Sequence, residues 1–409
     1  MDLSPDQISA LDQIMEWWKS RTSFISLGGF AGCGKTTLMS VFRSKLPSHV
    51  RIAFCSYTGK AASVLKSKLQ KIGINLYPSD YVGTIHKLIY EPIKDEDTDI
   101  DDVEWKLKDH LDYDLFVVDE ASMLGESIYQ DLCSFNIPIL AVGDHGQLPP
   151  IEGSFNLMEN PIIRLERVHR FAEGNPLTKI SMLARLEGYI PHGKYGDNVI
   201  KVSQKHSLVT DFINNSNNFS DSAILCGFNQ TRVNVNQKIR SWYKKEGPIP
   251  LPGEKVICLK NNAQAKLCPI YNGITGIIRE CTTRCDHLYA KIAIDGEDKK
   301  YIGKISKNVF NNKNPDMSEW IMEEVSIRSG DSDDIDIDRF LSKKKSKQKR
   351  LYLDCFDFGY CLTVHKSQGS EWDRVMLLEQ PCQHWSGPLW NRWLYTGVTR
   401  SKNELLIVR

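Results

Sequence analysis

Two short stretches of this chain bring phosphate chemistry within reach. In "SLGGFAGCGKTTLM", Gly29, Ala31, Gly32, Cys33, Gly34, Lys35, Thr36 and Thr37 follow the pattern G-x-x-x-x-G-K-[ST]. The glycines let backbone N–H groups curl around phosphate oxygens, and the helix that follows offers its positive end. Lys35 is placed to reach the β- and γ-phosphates, and Thr36 to set its hydroxyl on a magnesium ion. In "YDLFVVDEAS", Asp119 and Glu120 end an apolar run. Asp119 suits Mg²⁺, usually through water, and Glu120 suits the polarisation of an attacking water. Adjacent acids at a strand end are also common as solvated caps. Beside a phosphate loop, they favour hydrolysis over nucleotide binding alone.

A third stretch, "AVGDHGQLPPIEGS", carries an acid, an amide and a double proline where a turn alone would suffice. Asp144 can hold the turn by accepting backbone N–H bonds. Gln147 can sense the γ-phosphate or the attacking water, and Leu148-Pro149-Pro150 forms a stiff arm beyond it. Chemistry of this kind needs three strands side by side. Phe24–Leu27, Leu115–Val118 and the run before Gly143 supply them, and open parallel sheets place ligands at the C-terminal ends of such strands.

The three motifs together resemble superfamily 1 helicases, nearest the subclass that contains RecD and the phage Dda helicase. Further segments agree: "SYTGKAASVL" with motif Ia, "GTIHKLI" with Ib, "LERVHR" with IV, "LTVHKSQGSEWDRV" with V and "LYTGVTRSKNELLIV" with VI. The matches run from residue 4 to residue 408, leaving out two variable inserts. The resemblance implies an ATP- and Mg²⁺-dependent DNA helicase that moves 5′→3′ on single-stranded DNA and opens tailed duplexes, with roles in DNA replication, recombination or repair. A different class stays open: an RNA-directed member, or the motor subunit of a nuclease complex.

On the same resemblance, Arg170 and Arg400 reach the γ-phosphate as arginine fingers. Gln7 reads the adenine edge, and Gly369 and Glu371 line the nucleotide pocket. Thr58, Lys60, Thr84, His86, Thr363, His365 and Lys366 line the strand path. For His86 and His365, structural hydrogen bonding within a packed loop is the competing reading. "FNQTRVNVNQKIR" adds Asn229, Arg232 and Asn236 as phosphate or interdomain contacts, or else reads as a plain amphipathic helix.

These motifs imply an α/β fold with two RecA-like P-loop domains in tandem, a pin insertion and an SH3-like β insertion. The expected boundaries are residues 1–160 for the first core, with the pin at about 90–110, and 161–250 plus 351–409 for the second. The β insertion and a charged linker take 251–350. Tyr90 and Trp105 are wedge candidates in the pin, although the acidic run Asp95–Asp102 would repel phosphate and equally suggests a disordered acidic loop. Lys343–Arg350 could touch phosphates or form a solvated linker.

Composition bounds the rest. A chain of 409 residues exceeds the ~250–300 at which single cores stop growing. A net charge of +1 gives no basic footprint, so any nucleic-acid groove must come from local asymmetry. The N-terminus is not a signal peptide and no apolar run is long enough to span a membrane, so a cytoplasmic monomer is expected, with a single-strand-binding or replication protein as possible partner. The eleven cysteines contain no CxxC pair. Cys281, Cys285 and His287 lack a fourth zinc ligand nearby and read as reduced thiols. At its helix N-terminus, Cys33 is open to a lowered pKa.

Overall fold

The computed structural model describes residues 3–71, 76–92, 105–150, 155–167, 175–216, 219–262, 265, 268, 270–284, 287–295, 300–318, 320–325, 347–381 and 387–409. Two parallel sheets dominate. The first runs in the order Tyr81–Thr84, Ile52–Ser56, Leu115–Asp119, Ile139–Gly143, Phe24–Gly29, Ile163–Leu165, with every pairing parallel. Its central strands are apolar along their length because helices cover both faces. Leu27, Leu115, Leu140 and Val142 pack on one side, and Phe116, Val118 and Ala141 on the other.

The second sheet runs Cys361–Thr363, Ser222–Cys226, Trp372–Leu378, Ser401–Val408, Val199–Val202, Gly193–Lys194. It is parallel except for the last edge pair. The helix Pro388–Val398 precedes the long strand Ser401–Val408 and packs on the helix Pro176–Leu186.

A five-stranded antiparallel sheet lies between the two halves of the second core in sequence. Its order is Lys300–Ile305, His287–Ile294, Thr275–Arg284, Lys255–Cys258, Phe356–Phe358. Its apolar face joins Ile224, Cys226 and Met376 of the second sheet in one cluster. Two polar residues expected as phosphate or interdomain contacts are struts of this junction. Buried Arg232 pairs with Asp357, and Asn236 Nδ2 donates to the carbonyls of Phe358 and Cys361 at 3.0 and 3.3 Å.

Several boundaries move. Ile163–Leu165 is an edge strand of the first sheet, so the first core extends past residue 160. The inserted sheet ends with Phe356–Phe358, beyond residue 350. Lys347–Tyr352 is not linker but a strand paired with Trp320–Val325. Three-residue strands carry too little periodicity to announce themselves. At the expected pin, Tyr90–Pro92 pairs antiparallel with Trp105–Leu107, while the acidic run Asp95–Asp102 lies outside the described residues. Of the two wedge candidates, Tyr90 is anchored, its hydroxyl donating to Asp131 and its ring near His86. Trp105 is 54% exposed.

Candidate active site

The phosphate loop leaves the strand Phe24–Gly29 and enters the helix Lys35–Lys45 through Gly32 and Gly34, both at φ +83°. This left-handed region is open to glycine at little cost. Gln7 braces the turn. Its amide donates to the Cys33 carbonyl at 3.0 Å and its oxygen accepts the Ser4 N–H, capping the first helix. Gln7, expected to read the adenine edge, thereby supports the loop from the first helix. Lys35 Nζ donates to the carbonyls of Gly29 and Phe30 at 2.6 and 3.1 Å. Burial works against its charge, but the Cys33 sulfur and then Asp144, Glu120 and Asp119 outweigh it and hold its pKa above the ordinary lysine value. Cys33 is fully buried, and desolvation pushes its thiol up rather than down, contrary to the expectation for a helix N-terminus.

Asp119 ends its strand beside Ser56 in register, and Glu120 turns the chain at φ +53°. Burial raises the pKa of both carboxyls. For Glu120 the neighbouring Asp119 adds to this, while Arg400, Lys35 and Lys68 pull it back. The Arg400 charge therefore acts on Glu120 from the other core. Arg400 is 2% exposed, and its guanidinium donates to the carbonyls of Thr396 and Ser370 and to Thr399 Oγ1. Arg170 lies outside the described residues.

The loop after Gly143 is wound around Asp144. The carboxylate accepts the Gly146 N–H at 2.9 Å and the Gln147 amide at 3.1 Å, as a turn-holding acid should. Gln147 is buried, and its Oε1 has no hydrogen-bond partner among the described residues. An orphaned buried acceptor on the loop that Asp144 holds suits a site built for a further donor such as water. The donor set fits a nucleotide with its ion: loop N–H groups and Lys35 for phosphates, Thr36 and Asp119 for magnesium.

Residues not foreseen from the sequence tie this loop to the second core. The Leu148 N–H donates to Thr396 Oγ1 at 3.0 Å, and Gln368 donates to the Leu148 carbonyl at 2.9 Å. The Tyr395 hydroxyl accepts the Ala31 N–H and donates to Asp144 Oδ2, both at 2.9 Å. The Phe30 ring packs tilted against His145 at 4.2 Å, under the Arg185 guanidinium at 3.5 Å. Phe30 and Leu148 belong to the apolar cluster of the second core. The only available sequence signal was the closeness of Tyr395 to Arg400 in one motif.

An AAA domain model matches residues 2–209, just over half of the chain, and a UvrD-like helicase C-terminal domain model matches 358–408. The chain belongs to the AAA domain family, with a UvrD-like helicase C-terminal segment. It is similar to the ATP-dependent RecD2 DNA helicase of Deinococcus radiodurans, 23% identical over 430 residues covering 98% of this chain and 48% of that protein. The chain thus spans about half the length of that relative. The RecBCD enzyme subunit RecD of Buchnera aphidicola is 23% identical over 428 residues, covering 93% and 68%. Among solved structures, Bacteroides Pif1 in complex with ADP-AlF3 and ssDNA superposes with a TM-score of 0.55 at 15% identity, over 100% of this chain and 92% of that one. That likeness extends the fold to both cores of this chain.

The remaining expected residues are spread over both cores. Gly369, at φ +71°, faces Ala61 and Thr58 of the first core. Glu371 is half-buried in the same segment. Thr58 Oγ1 accepts the Ala61 N–H, and Thr84 Oγ1 caps its short helix through the Lys87 N–H. Lys60 sits over the Trp372 ring at 4.9 Å, and burial lowers its pKa to about 8 despite the pull of Asp295. The Tyr271 ring, from the inserted sheet, lies where a Cβ on Gly59 would be, 2.1 Å from that position. The His86 ring lies between those of Tyr57 and Tyr90, tilted to both, at 5.9 and 5.6 Å. Burial lowers the pKa values of His86, His365 and Lys366. Thr363 Oγ1 accepts the Lys366 N–H, and Asn229 is exposed at the start of its helix. At the cysteine cluster, Cys281 is a half-buried free thiol, and Cys285 lies outside the described residues.

Proposed function

We propose that this chain is an ATP- and Mg²⁺-dependent DNA helicase that translocates 5′→3′ on single-stranded DNA and unwinds tailed duplexes. One observation carries the reading: the helix leading into Arg400 of the second core is hydrogen-bonded through Tyr395 to Ala31 of the phosphate loop and to Asp144. An arginine of one domain seated beside the phosphate loop of another is an arrangement that phosphoryl transfer uses. Glu120 is the base that orients water, with Gln147 Oε1 as a second acceptor for it. Lys35 and Arg400 supply positive charge from opposite walls. Thr36 and Asp119 would hold magnesium, which when bound neutralises phosphate charge. Thr58, Lys60, Thr84, His86, Asn229, Thr363, His365 and Lys366 offer hydroxyl, amide and cationic donors to a strand backbone with no base preference. The hairpin at Tyr90–Pro92 is the pin and the five-stranded insert the SH3-like module of this reading, with exposed Trp105 the better wedge.

The relation to Buchnera RecD supports a second reading, a motor subunit that does not unwind alone. Duplexes with a 5′ or a 3′ single-stranded tail separate these outcomes. The helicase reading expects unwinding from the 5′ tail only, and equal unwinding from the 3′ tail overturns the direction. Turnover stimulated by poly-dT without unwinding of either duplex favours the motor subunit. Stimulation by RNA but not poly-dT removes the DNA assignment. Lys35→Ala should abolish turnover while strand binding, followed by fluorescence anisotropy, stays within about twofold of wild type.

A further inference from the structure

Tyr395 is fully enclosed, with 2% exposure, on the helix that leads into Arg400. Its ring is held by the edge of Phe30 and by Gly146, where a Cβ would approach Tyr395 Cε1 to 3.0 Å. Its hydroxyl makes two bonds, both to the other core. It accepts the Ala31 N–H of the phosphate loop and donates to Asp144, the acid that also holds Gln147. Burial pushes the phenol well above its ordinary pKa, so it remains a neutral donor. Backbone N–H groups of this loop type are the donors that cradle phosphate. One phenol oxygen therefore occupies an N–H of the loop that cradles phosphate.

We propose that the Tyr395 hydroxyl is a positioning group that competes with nucleotide phosphate for the Ala31 N–H, and through this exchange links loop occupancy to Asp144, Gln147 and the helix bearing Arg400. The inference rests on the nucleotide reading of the loop. When phosphate takes the Ala31 N–H, the hydroxyl loses one of its two cross-cleft bonds. The helix Pro388–Val398 then loses its hydrogen bond to the phosphate loop, while the Phe30 contact and the neighbouring Thr396–Leu148 bond keep the cores together. The exchange shifts the cleft between two bonded arrangements rather than opening it.

Tyr395→Phe keeps the ring and removes only the hydroxyl, so the test separates competition from mere support. A fluorescent, non-hydrolysable ATP analogue is titrated into wild type, Tyr395→Phe and Lys35→Ala, and the poly-dT stimulation of turnover is measured for wild type and Tyr395→Phe. Competition expects Tyr395→Phe to bind the analogue about three- to tenfold more tightly than wild type, with the stimulation ratio falling at least threefold. A residue that only supports the loop would leave binding equal or weaker on losing its hydroxyl. Either of those results, or an unchanged stimulation ratio, overturns the proposal while leaving the nucleotide site intact. If wild type itself fails to bind the analogue, the nucleotide reading falls and takes this inference with it.

Discussion

At the scale of single residues, the chemistry was most legible where it is local. The loop from Gly29 to Thr37 is set by residue types at fixed short spacing, so type and spacing suffice to find it. Tyr395 was not legible because its hydrogen-bond partner Ala31 lies 364 positions away, and nothing in a lone tyrosine names such a partner. Lys60 was placed on the strand path by resemblance alone, and the fold adds a property that the sequence could not show. Burial holds its pKa at about 8, below the ordinary lysine value. The free protein therefore sheds this proton as pH passes 8, while a bound phosphate would restore it. Single-strand affinity should weaken between about pH 8 and pH 10, with binding coupled to uptake of up to about one proton. Lys60→Arg, which keeps its charge throughout, should flatten that dependence in anisotropy titrations. In stability the sign is opposite: the cost of burying charged Lys60 is present below pH 8 and relieved as pH rises toward the unfolded value.

At the scale of elements, apolar runs such as Leu115–Val118 announced the central strands because parallel strands are covered on both faces. The edge strand Ile163–Leu165 and the returning strand Phe356–Phe358 were missed, since three residues do not establish a period. The junction between the first helix and the phosphate loop was likewise invisible, because it depends on Gln7 folding back onto Cys33. Gly34 is the stress point of that junction. A Cβ there would stand 2.3 Å from Gln7 Nε2 and would force a left-handed φ on an L-residue. Gly34→Ala should cost about 1–2 kcal/mol of strain and on the order of tenfold in nucleotide affinity. Thermal denaturation and nucleotide titration would show both effects. Adding Gln7→Ala should recover little, because the backbone carries the larger part.

For the whole molecule, two cores were foreseen, but the attachment of the inserted sheet was not. Its strand Lys255–Cys258 pairs with the returning strand Phe356–Phe358, and both rest on the helix Asn229–Trp242 through buried ion pairs. Arg240 bonds both oxygens of Glu254, at 2.7 and 3.1 Å, with the Leu251 N–H and the Tyr360 hydroxyl completing the site. Removing one member of a buried pair leaves the other charged and unpaired. Arg240→Met should therefore lose about 3–5 kcal/mol in urea denaturation, whereas Arg240→Met with Glu254→Leu should come back close to wild type. A single-variant loss below about 1 kcal/mol would show that the insert does not depend on this pair.

The seating of Phe30 and Leu148 inside the apolar cluster of the opposite core has a thermal consequence. Parting the two halves must wet both side chains, and hydrating apolar surface raises heat capacity. If separation of the halves limits the cycle, a plot of ln(kcat/T) against 1/T should bend, and Phe30→Ala should straighten it. A line already straight in the parent protein would mean that these side chains stay dry throughout turnover.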